Sequence, residues 1–430
     1  MSHRLMTDQR GVVLPLTLII LMVLTSLAVA VTVLGTTEPQ ISANLVAGAR
    51  ARFAAEAGLE WAFDLLAGTP DWSTLLNGAD ADGIILVNNG ALPGLDPTSG
   101  TYTIRLRNDT LATDTPITGV APDGGGAAID TNGRVIVVAT GRYRNAVRTV
   151  QVMMRRAQFP NFPAALAFPG NEAQANFSGN AFEVSGNDFN TDGSPGGCAP
   201  VYGISVSPTL GSPPGSNEQV VENALSAQQK DNVTGKKQVA SGPAFGNNTV
   251  AVEPTLTPAM VKAFIDAAKA NADITLNSHQ PSGLSFSNIG NTCSADVNSQ
   301  TCWGTASTPK VVYIKGDFDP TSQFSALQLS GHTEGYGVLI VEDGDLRISG
   351  NFAWNGPIIV TGQYVGIGFL GGGTQAVYGA VISNETAADP GFYEGVVTGN
   401  STIRYSCQAL NQAKSARRLV TMSSWQEIGQ

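Results

Sequence analysis

The stretch VVLPLTLIILMVLTSLAVAVTVL, Val12 to Leu34, decides how the rest of the chain is read. No charge interrupts it, and at ~1.5 Å per helical residue it spans the ~30 Å hydrocarbon core of a bilayer. Upstream lies MSHRLMTDQRG, with Arg4 and Arg10 against a single acid, Asp8. By the positive-inside rule this leader stays in the cytoplasm and the rest of the chain is exported. A secretory signal has a shorter apolar run, about 7–15 residues, ending in an A-x-A-like site. Ala28-Val29-Ala30 has that form, but the run is too long and helix-compatible sequence continues beyond it.

That continuation is EPQISANLVAGARARFAAEAGLEWAFDLL, Glu38 to Leu66. Ile41, Leu45, Phe53, Ala57, Trp61 and Leu65 recur at helical spacing, so the pattern predicts one long helix, bare in lipid at first and amphipathic afterwards. Gly35 and Pro39 mark a kink or break, because proline removes a backbone donor and clashes with the preceding turn.

The remaining composition fits an exported protein. The 430 residues exceed one ordinary domain, and only 13% are charged, while Gly (49) and Pro (23) are abundant. This argues against a coiled coil or a charged disordered tail. A net charge of −10 argues against a dedicated nucleic-acid surface, since Arg155-Arg156, Lys236-Lys237 and Arg417-Arg418 are the basic clusters.

A short basic leader ending in Gly11, an apolar run beginning at once, and FAAEAGLEWAFDLL from Phe53 to Leu66 together resemble the N-terminus of type IV prepilins, most closely the PilX-type minor pilins. Ala54, Ala55, Glu56, Ala57, Gly58 and Glu60 carry the second part of that resemblance. It implies that a prepilin peptidase cuts after Gly11 and methylates the new N-terminus, Val12. Residues 1–11 are then the leader, 12–67 the pilin helix with 12–34 in the inner membrane, and 68–158 a pilin-like α+β head. The helix would rest in inner-membrane lipid until it is drawn into a pilus, where it packs among the helices of other pilins. Major pilins carry glutamate at the fifth mature position, where it pairs with a neighbour's N-terminal amine; here that position is Leu16. A carboxylate in lipid is costly unless paired, so Leu16 implies a subunit that initiates or caps a fibre. The plainer reading of Leu16 is a lipid-facing residue of a simple anchor.

Within 68–158, Ile104–Arg107, Val135–Arg142 and Val147–Met154 read as strands separated by Gly, Asp and Asn turns. Pro160 and Pro163 punctuate the end of this unit, and 159–430 reads as a mainly β extracytoplasmic domain. Two helices are expected in it, Glu218–Gln229 and Pro258–Asn271, the second with Thr257 as N-cap and an apolar face of Val261, Phe264, Ile265 and Ala268. From Val311 to Tyr405, short apolar strands alternate with Gly-containing corners, as a parallel β-solenoid requires, with an antiparallel sandwich as the competing arrangement. Similar strings accompany PilX-type N-termini. The fold class expected is therefore α+β: a long N-terminal helix, a small head and a β-solenoid.

Four cysteines in an oxidising compartment allow three disulfide connectivities. Cys293–Cys302 is the simplest local pair, leaving Cys198–Cys407. Asp188, Asn190 and Asp192, followed by Gly193, match the start of a calcium loop, although Ala199 stands where an EF-hand has its bidentate Glu. An Asx turn is the plainer reading of the same residues. No G-x-S-x-G occurs, His332 has no evident partner, and Glu342, Asp343 and Asp345 read as a solvated corner more readily than as a glycosidase pair. The expected function is non-enzymatic: a pilus assembly or adhesion subunit, with a surface or host ligand as a further partner. A type II secretion pseudopilin and a membrane-tethered carbohydrate-active enzyme are the alternatives.

Overall fold

The computed structural model describes residues 13–76, 83–92, 99–171, 173–208, 217–236, 249–318, 324–387 and 393–428. Its first element is a helix, α1, Val13–Gly68, about 84 Å long at the usual rise. It is not broken at Pro39, contrary to the sequence expectation. Proline deletes one N–H and leaves the remaining ladder intact, and the Thr36 and Thr37 hydroxyls donate to the Thr32 and Leu34 carbonyls just upstream. In the apolar half, Thr17, Thr25, Ser26 and Thr32 also donate to carbonyls three or four residues back. No hydroxyl there needs water to satisfy it.

The second half of α1 lies on an antiparallel sheet whose order is β1 (Ile84–Ala91), β2 (Thr101–Asn108), β3 (Arg134–Tyr143), β4 (Ala146–Arg156) and then the C-terminal strand Val420–Ile428. The helix face that docks is not the stripe of large residues that the spacing predicts. Ile41, Leu45 and Phe53 are exposed, while Ala47, Ala51, Ala54, Ala55, Gly58 and Ala62 are buried. Small side chains let the helix backbone approach the sheet closely. A Cβ placed on Gly141 of β3 would lie 1.9 Å from the Ala51 carbonyl oxygen, and one on Gly58 would meet Ile104 at 2.7 Å. Leu59, Leu66, Trp72, Ile104, Leu106, Val137 and Val152 complete this core.

Beyond Pro163 every strand pair up to Tyr405 among the described residues is parallel. An antiparallel sandwich is therefore not formed. Lys310–Lys315, His332–Glu342, Asn351–Gly362 and Thr374–Glu385 lie side by side. A second sheet repeats the same advance through Leu327–Ser330, Leu346–Ile348, Ile367–Phe369 and Gly395–Thr398. Both faces of the long strands are covered, one by the interior of the stack and the other by the helices Pro258–Lys269 and Cys407–Lys414, which explains their unbroken apolar runs. Each fully buried Ile, Val or Phe there is worth roughly 1.5–3 kcal/mol. The long strands bend at Gly337, Gly356 and Gly379, whose φ values are 121°, 133° and 150°. A Cβ on Gly356 would lie 2.0 Å from the Gly337 oxygen, and one on Gly379 2.2 Å from the Gly356 oxygen, so this corner is a column that accepts only glycine.

The stack does not follow chain order. Ala164–Phe168 pairs with Thr374–Glu385, Tyr202–Val206 stacks on Ala164–Phe168, and Val250–Val252 on Tyr202–Val206. The helix Pro258–Lys269 then carries the chain to the far edge, Ile274–Asn277, and the following turns wind back to the strand beside which the region began. This helix has the expected Thr257 cap, accepting from Met260 N, and the expected buried face. The other expected helix is two: Asn217–Ala224 and Ala227–Lys230, separated because Ser226 leaves helical geometry to cap the second. The helix Cys407–Lys414 follows the last turn of the stack, and the C-terminal strand that comes after it pairs with β4, so part of 159–430 belongs to the head sheet.

Candidate functional site

Among the described residues, 13–46 of α1 are exposed apart from the partly covered Thr37: Val13 to Leu34 and onward to Val46 present their apolar side chains outward. The helix is long and apolar enough to cross a membrane by length and composition. Leu16 is 54% exposed and lies among equally uncovered neighbours. Gly11 and Val12, the residues of the expected processing site, lie outside the described residues.

Side chains from outside the helix fasten its lower end. No basic residue lies in the last turn of α1, and Arg156 fills that role from β4. Its guanidinium donates to the Leu66, Thr69 and Pro70 carbonyls at 2.5, 2.7 and 2.5 Å and stacks over the Trp72 ring at 4.6 Å. A cation at the negative end of the helix dipole stabilises it, and burial lowers the Arg156 pKa to about 10, which leaves it charged at neutral pH. Trp72 Nε1 donates to the same Leu66 carbonyl. Sequence reading singled out Arg155-Arg156 as a basic pair but had no signal for this cap, whose carbonyls lie far away along the chain.

Two disulfides are formed, Cys198–Cys407 and Cys293–Cys302. The first joins the loop after Glu183–Ser185 to the helix Cys407–Lys414, at the seam where the first and last turns of the stack meet. Asp188 sits beside it, and its two carboxylate oxygens accept from the Cys198 and Cys407 amides at 2.8 and 2.9 Å. Asp192 accepts from Ser194 N and Oγ, and the Asn190 amide donates to Ser194 Oγ and the Pro195 carbonyl. The structure thus engages Asn190 and Asp192 in local turn bonding and Asp188 in bonds to the two disulfide amides; Asp188 and the two disulfide sulfurs are the one group of metal-type ligands that converges among the described residues.

The acids considered for catalysis have separate structural tasks. Glu342 accepts from Lys269 Nζ at 2.9 Å on both oxygens and from the Tyr313 hydroxyl, fixing the helix Pro258–Lys269 to the sheet. Burial and this carboxylate push the Tyr313 pKa well above its ordinary value. Asp345 is buried, accepts from Gly366 N at 2.9 Å and has Arg347 at 3.4 Å; desolvation raises its pKa to about 6. Asp343 occupies the left-handed region at φ 58°. His332 is exposed at the start of its strand.

These features define a protein with a membrane-length apolar helix, a head sheet carried on its second half, and a mainly β region stapled by disulfides. No family model matches the chain, and no curated protein matches it. Among solved structures, the chain is similar to the competence-associated pilin ComZ from Thermus thermophilus, at 13% identity over 89% of this chain and 98% of that one, with a TM-score of 0.24. That score is too low to transfer a fold from one chain to the other.

Proposed function

We propose that the chain is a type IV pilus minor pilin or pilus assembly subunit. The observation that carries this reading is the division of α1. Its first half is apolar and uncovered, ready for lipid and then for other pilin helices, while its second half carries a head sheet on a face of alanine and glycine. In this reading Val12–Leu34 anchors the subunit in the inner membrane with the C-terminal region outside the cytoplasm. Leu16, with no charge to pair with a neighbour's amine, suits a subunit at or near the fibre tip. The β region, read as a β-solenoid beginning near residue 159, is the part displayed for assembly or adhesion.

Mass spectrometry of the N-terminal peptide from membranes tests this directly. Processing predicts a methylated Val12 and loss of the leader, and Gly11→Val should retain the leader and abolish incorporation into fibres. An N-terminus at Met1 or Ser2 in the wild-type chain, or normal fibres containing Gly11→Val, would contradict the reading.

A further inference from the structure

A pocket of about 200 Å³ lies where the head meets the helix Pro258–Lys269. Arg134, Arg155 and Arg156 line one side of it, and Met260, Phe159 and Phe264 line the other. No carboxylate side chain lines it among the described residues. Arg134 and Arg155 are directly opposite in the register of β3 and β4, a placement in which like charges repel. Arg156, the next residue, faces the other side of the sheet, where its guanidinium holds the end of α1, so the two guanidinium groups brought together are those of Arg134 and Arg155, in a chain whose net charge is −10.

Their donors are not used up. The Nε of Arg134 is buried without a hydrogen-bond partner, which is rare for a native polar group and expensive when it occurs. Among the described residues neither Arg134 nor Arg155 forms an ion pair; Arg134 acts on Asp109 only at longer range. Arg156, by contrast, is committed to the end of α1 through Nη1 and Nη2. Clustered guanidinium forks with free N–H groups match the oxygens of a carboxylate or phosphate.

We propose that this pocket binds an oxyanion, a carboxylate or phosphate group, through Arg134 and Arg155. The anion would neutralise the cross-strand repulsion and bridge the head to the helix Pro258–Lys269. A free solute is the source rather than a lipid headgroup. From Leu34 to the end of α1 at Gly68 the helix rises about 50 Å, which holds the pocket far from a bilayer surface.

The test is calorimetric titration of the full-length chain in neutral detergent at low ionic strength, with inorganic phosphate and separately with acetate as probes. Saturable one-site binding is expected, weakened about tenfold or more by Arg134→Gln and by Arg155→Gln. Lys262→Gln, which removes an exposed lysine paired with Asp266, should leave it unchanged. In anion-free buffer Arg134→Gln should melt no lower than the wild type, because it removes a like-charge contact, so that lost binding is not lost fold. Absence of saturable binding to the wild type, or affinity that survives both arginine substitutions, overturns the proposal. A third arm compares vesicles of phosphatidylglycerol and phosphatidylcholine carrying the full chain. Equal phosphate affinity in the two supports a soluble anion, and loss of phosphate binding in phosphatidylglycerol overturns that assignment in favour of lipid.

Discussion

The head and the stack are both β structures built on apolar strands, yet they are held together differently. The head sheet is antiparallel, has α1 on one face, and meets that helix through backbone contact at alanines and glycines. The stack is parallel, buried on both faces, and fastened at its seam by a disulfide. In the head, stability resides in how closely two elements approach. In the stack it resides in how many equivalent turns are laid on one another and whether the outermost and innermost segments stay joined.

The largest effect expected from this difference is on the seam. Replacing Cys198 and Cys407 by serine opens a closure of sequence separation 209, for which the chain-entropy relation gives a loss of about 5 kcal/mol. The same change at Cys293 and Cys302, separated by 9, should cost about 2.5 kcal/mol. Urea unfolding followed by hydrogen exchange should show the stack opening first and the head retained. Simultaneous loss of both would mean that the two regions form one cooperative unit and would break the comparison.

Next come two glycines that perform the same service in different settings. Gly356→Ala places a methyl against the Gly337 carbonyl in the corner column, and Gly141→Ala places one against the Ala51 carbonyl. Each should lower stability by about 3 kcal/mol. Gly356→Ala should do so through the stack and Gly141→Ala through separation of α1 from the head, distinguishable by exchange of α1 amides.

A smaller effect concerns Asp345. Its folded pKa of about 6 lies above the unfolded value near 3.8 because it is desolvated. The folded state therefore holds the extra proton between those values, and stability present below pH 4 is lost as pH rises through 6. Asp345→Asn should raise stability at pH 7 by roughly 2 kcal/mol and change little at pH 4. A Tm-versus-pH curve for the variant parallel to that of the wild type would refute this. Smallest of all, millimolar calcium should leave Tm unchanged, because Asn190 and Asp192 already spend their polar atoms on the local turn and Asp188 on the Cys198 and Cys407 amides; a clear rise would reinstate the calcium-loop reading.

Local features were the ones readable in advance. The apolar run, the three central head strands and the Thr257-capped helix follow from composition, alternation and a single capping residue. The docking face of α1 was misread because size was taken as the sign of burial, whereas close approach selects Ala51, Ala55 and Gly58. The order of turns was not readable, since Leu166 meets Val381 and nothing local in either strand names its partner. The arginine pocket was half visible: Arg155-Arg156 stood out as a basic pair, but the two side chains part to opposite faces, and Arg155 meets Arg134 only through the β3–β4 register.

The C-terminal strand has a consequence for how this chain is put together. Arg156, the last residue of β4, is in register with Val420, the first of the C-terminal strand, and Ala157 N donates to the Leu419 carbonyl at 2.9 Å. Everything between Ala157 and Leu419 therefore leaves and re-enters the head at one point, as an insertion in what would otherwise be a simple hairpin. A head with that connection shortened to a tight turn retains every strand of its sheet and loses the contacts that Arg417, inside the insertion, makes with Asp64 and Phe63 of α1. The stack is in this sense an insertion carried by the small helix-and-sheet module, joined to it at the end of β4 and again at Asp64.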